Sequence, residues 1–291
     1  MCDQHFEEDM KDYLAREGLT RRQFGALSVG VSIAMLLPRV ANALTVTESD
    51  VSVKTPDGVA DCYFVHPSSG AYAGVLIWPD ILGLRPAFRQ MGKRLAESGY
   101  SVLVVNPFYR RKRAPVVPAG ASFAEPATRN AVTPLAQALN ATTHDTDAKA
   151  FVAFLDSQAA VNKNRKVGTM GYCMGGPITM RTAAAVPNRV GAGASFHGGG
   201  LVTDQADSPH LLVPKMKAQY LFAIAENDDQ REPNSKTVLR ESFAKANLPA
   251  EIEVYAGAAH GWCPPDSGVY NEAQAERAWS RLLVLFGKAL A

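Results

Sequence analysis

The sequence predicts an α/β protein with a doubly wound, mostly parallel sheet and an antiparallel edge on its N-terminal side. Short β-branched runs alternate along the chain with segments of helical periodicity, as repeated strand–helix units do. The continuous apolar runs at 74–80 and 100–107 are typical of central parallel strands that are buried on both faces. Earlier, the runs at 51–55 and 61–66 flank a turn-forming Asp-Gly pair, which indicates an antiparallel hairpin.

The remaining elements follow in alternation. A helix is predicted between the two central strands, with Pro86 at its start and Gly99 just after its end. The stretch 110–142 is rich in Pro and Ala, and we expect it to be irregular and to lie over the carboxyl ends of the strands. Further strands are predicted at 166–172, 192–197, 219–225 and 250–256, and further helices at 143–158, from about 174, at 235–246 and from about 271 to 290.

The first 43 residues have the pattern of a twin-arginine export signal. Arg21 and Arg22 precede a short apolar run, and Ala41 and Ala43 form an A-x-A cleavage site. The alternative is a short membrane anchor, but about a dozen apolar residues fall short of the ~20 that span a bilayer. We therefore predict export by the twin-arginine machinery to the periplasm, with no stable membrane span.

Residues 44–291 have the length of one large α/β domain. The net charge of the whole chain is only +2, which argues against nucleic acid as a partner. The basic run at 110–113 is the only such cluster in the predicted domain, and we interpret it as a solvated loop. We expect a monomer that acts on a small molecule.

Cysteine usage points to a thiol with a function. Removal of the signal leaves Cys62, Cys173 and Cys263, and the chain contains no C-x-x-C motif. This pattern supports neither a zinc site nor a disulfide framework. An odd number of cysteines leaves at least one thiol unpaired in an oxidising compartment, where a free thiol is a liability unless it has a task.

Cys173 stands between a predicted strand and a predicted helix, in the sequence GYCMG. This is the G-x-S-x-G elbow of serine hydrolases with cysteine as the nucleophile, since Gly171 and Gly175 leave room for a strained turn. The N-terminus of the following helix favours thiolate, and the N–H of Met174 is aimed at a developing oxyanion. The alternatives are a buried structural cysteine and a strained turn kept for packing.

The residues that a cysteine nucleophile needs follow in the required order. Asp228 and Asp229 come after one predicted strand, and His260 comes after the next, just ahead of the last helix. Nucleophile, acid and then histidine is the chain order of such hydrolases. Singly, the aspartates could be helix caps and the histidine a loop residue. His197, at the end of another strand, is an alternative base.

These motifs together resemble one known family. From about residue 51 to 290 the chain is similar to the dienelactone hydrolase (carboxymethylenebutenolidase) family of α/β hydrolases. The segment 171–176 (GYCMGG) resembles the family's cysteine elbow, 259–262 (AHGW) its histidine loop, and 78–86 (WPDILGLRP) the loop after its third strand. The resemblance implies an α/β-hydrolase fold and a carboxylic ester hydrolase, with neither metal nor organic cofactor.

The resemblance also implies roles for residues outside the triad. The N–H of Ile81 is the second oxyanion donor, and Asp80 stands where the family has a glutamate that interacts with the resting nucleophile. The family's lactone hydrolases hold the substrate carboxylate with two arginines. Arg111 could provide the first, but Pro264 stands where the second would be.

The two neighbouring aspartates compete for the role of acid. Asp228 falls three residues after Ala225, where the family usually has a glycine that ends the strand, and this spacing favours Asp228. Asp229 lies four residues before Pro233, a spacing that is also common in these loops. We predict that Asp228 orients His260, with Asp229 as the alternative.

The sequence thus predicts a hydrolase that cleaves a small carboxylic ester or lactone through Cys173, His260 and Asp228. Two alternatives remain open. One is a periplasmic binding protein that keeps a hydrolase fold without turnover, and the other is a thiol peptidase or acyltransferase.

Overall fold

The structure, a computed structural model, describes residues 37–38 and 40–291. Arg21 and Arg22 lie outside the described residues, as does most of the apolar run that follows them. Within the described part of the chain, no helix has the length and apolar character needed to cross a membrane.

A single mixed sheet of eight strands forms the centre of the fold, in the order β1-β2-β4-β3-β5-β6-β7-β8. The first pair is an antiparallel hairpin, β2 pairs antiparallel with β4, and every later pair is parallel. The predicted sheet and its antiparallel edge are therefore confirmed. The strands are β1 (Val46–Thr55), β2 (Gly58–Pro67), β3 (Ala73–Trp78), β4 (Tyr100–Val105), β5 (Val167–Tyr172), β6 (Val190–Phe196), β7 (Gln219–Ala225) and β8 (Ala250–Tyr255).

Helices cover both faces of this sheet. They are α1 (Pro86–Glu97), α2 (Pro126–Gln137), α3 (Ala141–Ser157), α4 (Gly175–Ala185), α5 (Glu226–Arg231), α6 (Ser235–Lys245) and α7 (Glu272–Ala289), with a 3-10 helix at Pro209–Lys215. On β3, Ile77 packs in the core beneath α1 and α7, whereas its neighbour Trp78 packs in the core beneath α3. This alternation of side chains across the pleat makes the sheet doubly wound.

Two predictions of irregular structure were wrong. Segment 110–142 contains α2, although Pro134 lies inside that helix and removes one of its backbone hydrogen bonds. Burial of Val132 on the inner face of α2 offsets this cost. The segment after β7, which the choice between Asp228 and Asp229 treats as a loop, is the short helix α5.

The segment between β4 and α3 contributes an apolar cluster, which we call the cap cluster. Its buried members are Phe108, Val116, Val117 and Val132. Met174, directly after the predicted nucleophile, packs against this cluster together with Ile81 and Leu82 of the loop after β3. The segment therefore adjoins the carboxyl ends of β3 and β5, where ligands bind in open α/β sheets.

Candidate active site

Cys173 occupies a strained turn between β5 and α4. Its φ is +52°, in the left-handed region that non-glycine residues rarely adopt, and its N–H donates to the carbonyl of Phe196 at 3.0 Å. A Cβ at Gly171 would lie 2.2 Å from the carbonyl oxygen of Gly175, and a Cβ at Gly175 would lie 2.3 Å from that of Trp78. Both positions therefore exclude any side chain, as the elbow motif requires.

The structure brings His260 and Asp228 together. His260 Nδ1 lies 2.7 Å from Asp228 Oδ2, and the Cys173 thiol lies close enough to His260 to contribute to the pKa of the imidazole. Asp229 points elsewhere, because its two carboxylate oxygens each accept from Lys236 Nζ at 2.6 Å. Both aspartates lie in the first turn of α5, where adjacent side chains diverge by roughly 100°.

The electrostatics favour a protonated His260. Burial alone lowers the pKa of this imidazole, but the charges of Asp228 and Cys173, with their hydrogen bonds, outweigh burial and raise the pKa well above its ordinary value. The raised pKa favours the imidazolium form of this ring. With Nδ1 engaged by Asp228, Nε2 is the nitrogen left for the sulfur.

Asn227 is a positioning residue that the sequence analysis missed. Its side-chain oxygen accepts the backbone N–H of His260 at 2.8 Å, so α5 holds the histidine through its backbone as well as its ring. The only signal in the sequence is that Asn227 immediately precedes Asp228, and asparagine is common in loops for many other reasons.

Two backbone amides near Cys173 are open donors. The N–H groups of Met174 and Ile81 donate to no acceptor among the described residues. The turn that carries Ile81 is fixed by its neighbour, since Asp80 accepts from Leu82 N–H through Oδ1 and from Gly83 N–H through its carbonyl, both at 2.9 Å. Such fixed, unused donors are what an oxyanion hole requires.

The predicted substrate-binding residues lie in different environments. The Asp80 carboxylate is buried and binds the guanidinium of Arg85, with contacts of 2.6 and 2.9 Å. Arg111 is exposed and has no ion-pair partner in the part of the chain described, whereas its neighbour Arg110 binds Asp147. Asp80 is thus already engaged, and Arg111 is available.

His197, the alternative base, lies next to His260 without a carboxylate to orient it. Its ring centroid is 5.1 Å from that of His260 and 5.1 Å from that of Trp262, and its side chain is 1 % exposed. Burial, with a smaller effect from the charge of His260, holds the pKa of His197 well below its ordinary value. His197 therefore favours its neutral form and packs as an aromatic ring between His260 and Trp262.

The described residues contain no group of three His, Cys, Asp or Glu side chains that could hold a metal ion. What the site contains is a cysteine on a tight strand–helix turn, an acid after β7 and a histidine after β8. Together with the sheet topology, this arrangement defines an α/β hydrolase.

Within that class, the dienelactone hydrolase family model matches residues 60–290. The chain belongs to the dienelactone hydrolase family and is a carboxylic ester hydrolase. A carboxymethylenebutenolidase of Rhodococcus opacus is 25 % identical over 244 residues, covering 81 % of this chain and 90 % of the relative.

Solved structures show the same fold. The crystal structure of a dienelactone hydrolase-like promiscuous phosphotriesterase from metagenomic libraries has a TM-score of 0.70 at 19 % identity. That of a dienelactone hydrolase from Anabaena variabilis has a TM-score of 0.60 at 18 % identity. In each comparison 84 % of this chain and 99 % of the other chain are covered.

We expect iodoacetamide at neutral pH to alkylate Cys173 much faster than Cys62 or Cys263. Cys62 is 2 % and Cys263 is 5 % exposed, and burial raises the pKa of both, whereas Cys173 is half-buried beside His260. Peptide mass spectrometry over a time course measures the three rates. Equal rates would contradict an activated Cys173.

Proposed function

We propose that the chain hydrolyses small carboxylic esters or lactones with Cys173 as nucleophile, His260 as base and Asp228 as the acid that orients it. The observation that carries this proposal is the strained Cys173 turn beside the His260–Asp228 pair, whose polar atoms are 2.7 Å apart. The open amides of Met174 and Ile81 support it further, because they are the donors that a carbonyl oxygen would need.

The reaction has two stages. The Cys173 thiolate attacks the carbonyl carbon, and the oxyanion that forms accepts from the amides of Met174 and Ile81. The C–O bond then breaks, the alcohol leaves with a proton from His260, and a thioester remains. Water attacks the thioester while His260 takes a proton from it, and the acid product and the Cys173 thiolate are released.

The surroundings favour an uncharged substrate group next to the nucleophile. Met174, Ile81 and Leu82 are partly buried and pack against the cap cluster, so the wall beside Cys173 is apolar. The second family arginine is absent, with Pro264 in its place, and Asp80 is already bound to Arg85. An apolar acyl or alkyl group is thus better matched to this wall than a carboxylate.

A substrate panel tests the proposal. We expect turnover of p-nitrophenyl acetate, short alkyl esters and neutral lactones, with slower turnover of lactones that carry a carboxylate, and no cleavage of peptides. Mass spectrometry of the products identifies each hydrolysis. Binding without turnover of any ester would favour the binding-protein alternative, and cleavage of peptides would favour a thiol peptidase.

We further propose that the protein is exported folded by the twin-arginine route and acts in the periplasm. The support is the Arg21–Arg22 pair and the A-x-A site, where Ala41 and Ala43 are exposed ahead of β1. Replacing both arginines by lysine is expected to leave the enzyme unprocessed in the cytoplasm, as measured by fractionation and N-terminal sequencing. Processing of the double variant at the normal level would exclude this signal.

A further inference from the structure

One arginine joins two loops of the site. The side chain of Arg85, at the start of α1, is 7 % exposed and lies between the carboxylates of Asp80 and Asp266. It donates to Asp80 at 2.6 and 2.9 Å and to Asp266 at 2.5 and 2.9 Å. A fifth bond runs from Nη1 to the carbonyl of Gly83 at 3.3 Å.

The two carboxylates belong to the loop after β3 and the loop after β8, which must be correctly placed relative to each other for the proposed reaction. Asp80 shapes the turn that presents the N–H of Ile81. Asp266 lies in the loop between β8 and α7 that carries His260. Arg85 thus connects the loop that carries an oxyanion donor to the loop that carries the catalytic base. Arg85 and Asp266 are 181 positions apart in the sequence.

The same geometry argues against a role for Arg85 in binding substrate. A guanidinium has five N–H donors, and the five bonds to Asp80, Asp266 and Gly83 use all of them. A substrate carboxylate would have to displace one of these contacts in a buried environment. Bidentate pairs of this kind fix orientation as well as distance.

We propose that Arg85 is a positioning residue, which sets the N–H of Ile81 against the imidazole of His260 through Asp80 and Asp266. This inference rests on the proposed ester hydrolysis. Because a misplacement of ~1 Å at a reacting centre can cost ~10²-fold in rate, loss of the bridge should act on kcat more than on KM.

The chain offers a matched control on the same helix. Arg94 of α1 is 8 % exposed and donates to both oxygens of Glu276 on α7 at 2.6 Å, so it joins two helices and not the loops after β3 and β8. Both Arg85→Lys and Arg94→Lys keep the charge, but the first loses two bidentate pairs and the second loses one. We expect Arg85→Lys to lower kcat for p-nitrophenyl acetate by ~10- to 100-fold with KM within ~3-fold, and Arg94→Lys to change both by less than ~3-fold.

A second pair separates positioning from folding. Asp266→Asn loosens the link to the His260 loop but keeps the Arg85–Asp80 pair, and Glu276→Gln loosens the Arg94 pair in the same way. With melting temperatures measured for both, we expect ~10-fold lower kcat in Asp266→Asn alone. Equal kcat in Asp266→Asn and Glu276→Gln would overturn the proposal. A KM that rises in Arg85→Lys for carboxylate-bearing esters only would also overturn it, because Arg85 would then be a substrate ligand.

The alkylation rate of Cys173 gives a readout that needs no substrate. We expect iodoacetamide to react with Cys173 at least ~3-fold more slowly in Arg85→Lys and at the wild-type rate in Arg94→Lys, because a displaced His260 stabilises the thiolate less. If the wild-type protein hydrolysed no ester, the proposed function would be wrong. The alkylation rate of Cys173 in Arg85→Lys would still show whether Arg85 positions His260. Unchanged alkylation together with unchanged kcat in Arg85→Lys would exclude it.

Discussion

Replacing Cys173 by Ala is expected to lower kcat/KM for p-nitrophenyl acetate by at least ~10³-fold. The variant keeps the His260–Asp228 pair and the open amides, but it has no atom that can form the thioester. The magnitude follows from hydrolases of this type, in which loss of a triad member removes most of the rate and leaves only the contribution of the oxyanion hole and of binding. Steady-state hydrolysis, followed by release of p-nitrophenolate, measures the effect.

Cys62→Ala is the matched control for this variant. Cys62 is also a free cysteine, but it is buried in β2 and far along the sheet from β5. Its replacement is expected to change kcat/KM by less than ~3-fold, because a buried thiol of this kind packs as a small apolar side chain and takes no part in the reaction. Activity above a tenth of wild type in Cys173→Ala would move the nucleophile to another residue.

The second large effect is expected at Asp228. Asp228→Asn removes the carboxylate that binds His260 Nδ1 at 2.7 Å, and we expect kcat to fall by at least ~10²-fold. Asp229→Asn, one position along the same helix, weakens only the ion pair with Lys236, and kcat should change by less than ~10-fold. The reverse order of effects would make Asp229 the acid.

The pH dependence gives the same variant a second measurement. Apart from the opposing effect of burial, the charge of Asp228 contributes most to the pKa of His260 and raises it. Without that charge the imidazolium loses its proton at lower pH. The alkaline limb of kcat for a short alkyl ester, whose alcohol leaves with the proton of His260, should therefore move to lower pH in Asp228→Asn and stay in place in Asp229→Asn. Identical profiles in the two variants would mean that Asp228 does not set the charge of His260.

Features that depend on neighbouring residues could be predicted from the sequence. Strands β3 and β4 were predicted from their apolar runs. A parallel strand that is buried on both faces is apolar at every position, and both strands have this pattern. The turn at Cys173 was equally local, since the backbone there has room only for glycine at positions 171 and 175, two residues before and after Cys173. Helix α2 was missed because a proline such as Pro134 usually indicates the end of a helix. The burial of Val132, which favours the helix, depends on tertiary contacts that the local sequence does not show.

Contacts between distant segments of the chain could not be predicted from the sequence. Nothing in the pattern distinguishes Arg85 from other arginines at helix starts, and its partner Asp266 is set only when the loop after β8 folds against the loop after β3. The choice between Asp228 and Asp229 also depended on α5, because the direction of each side chain follows from the helix and not from its spacing to the strand end.

The positions of the two buried thiols determine whether folding depends on disulfide formation. Cys62 and Cys263 belong to cores on opposite faces of the sheet, so they cannot pair with each other without unfolding, and the described residues contain no disulfide. Folding of the described part of the chain therefore needs no oxidant to join these two thiols. Both are closed off from solvent in the native fold, so of the three cysteines that the structure describes, Cys173 alone stays within reach of a small oxidant or alkylating agent.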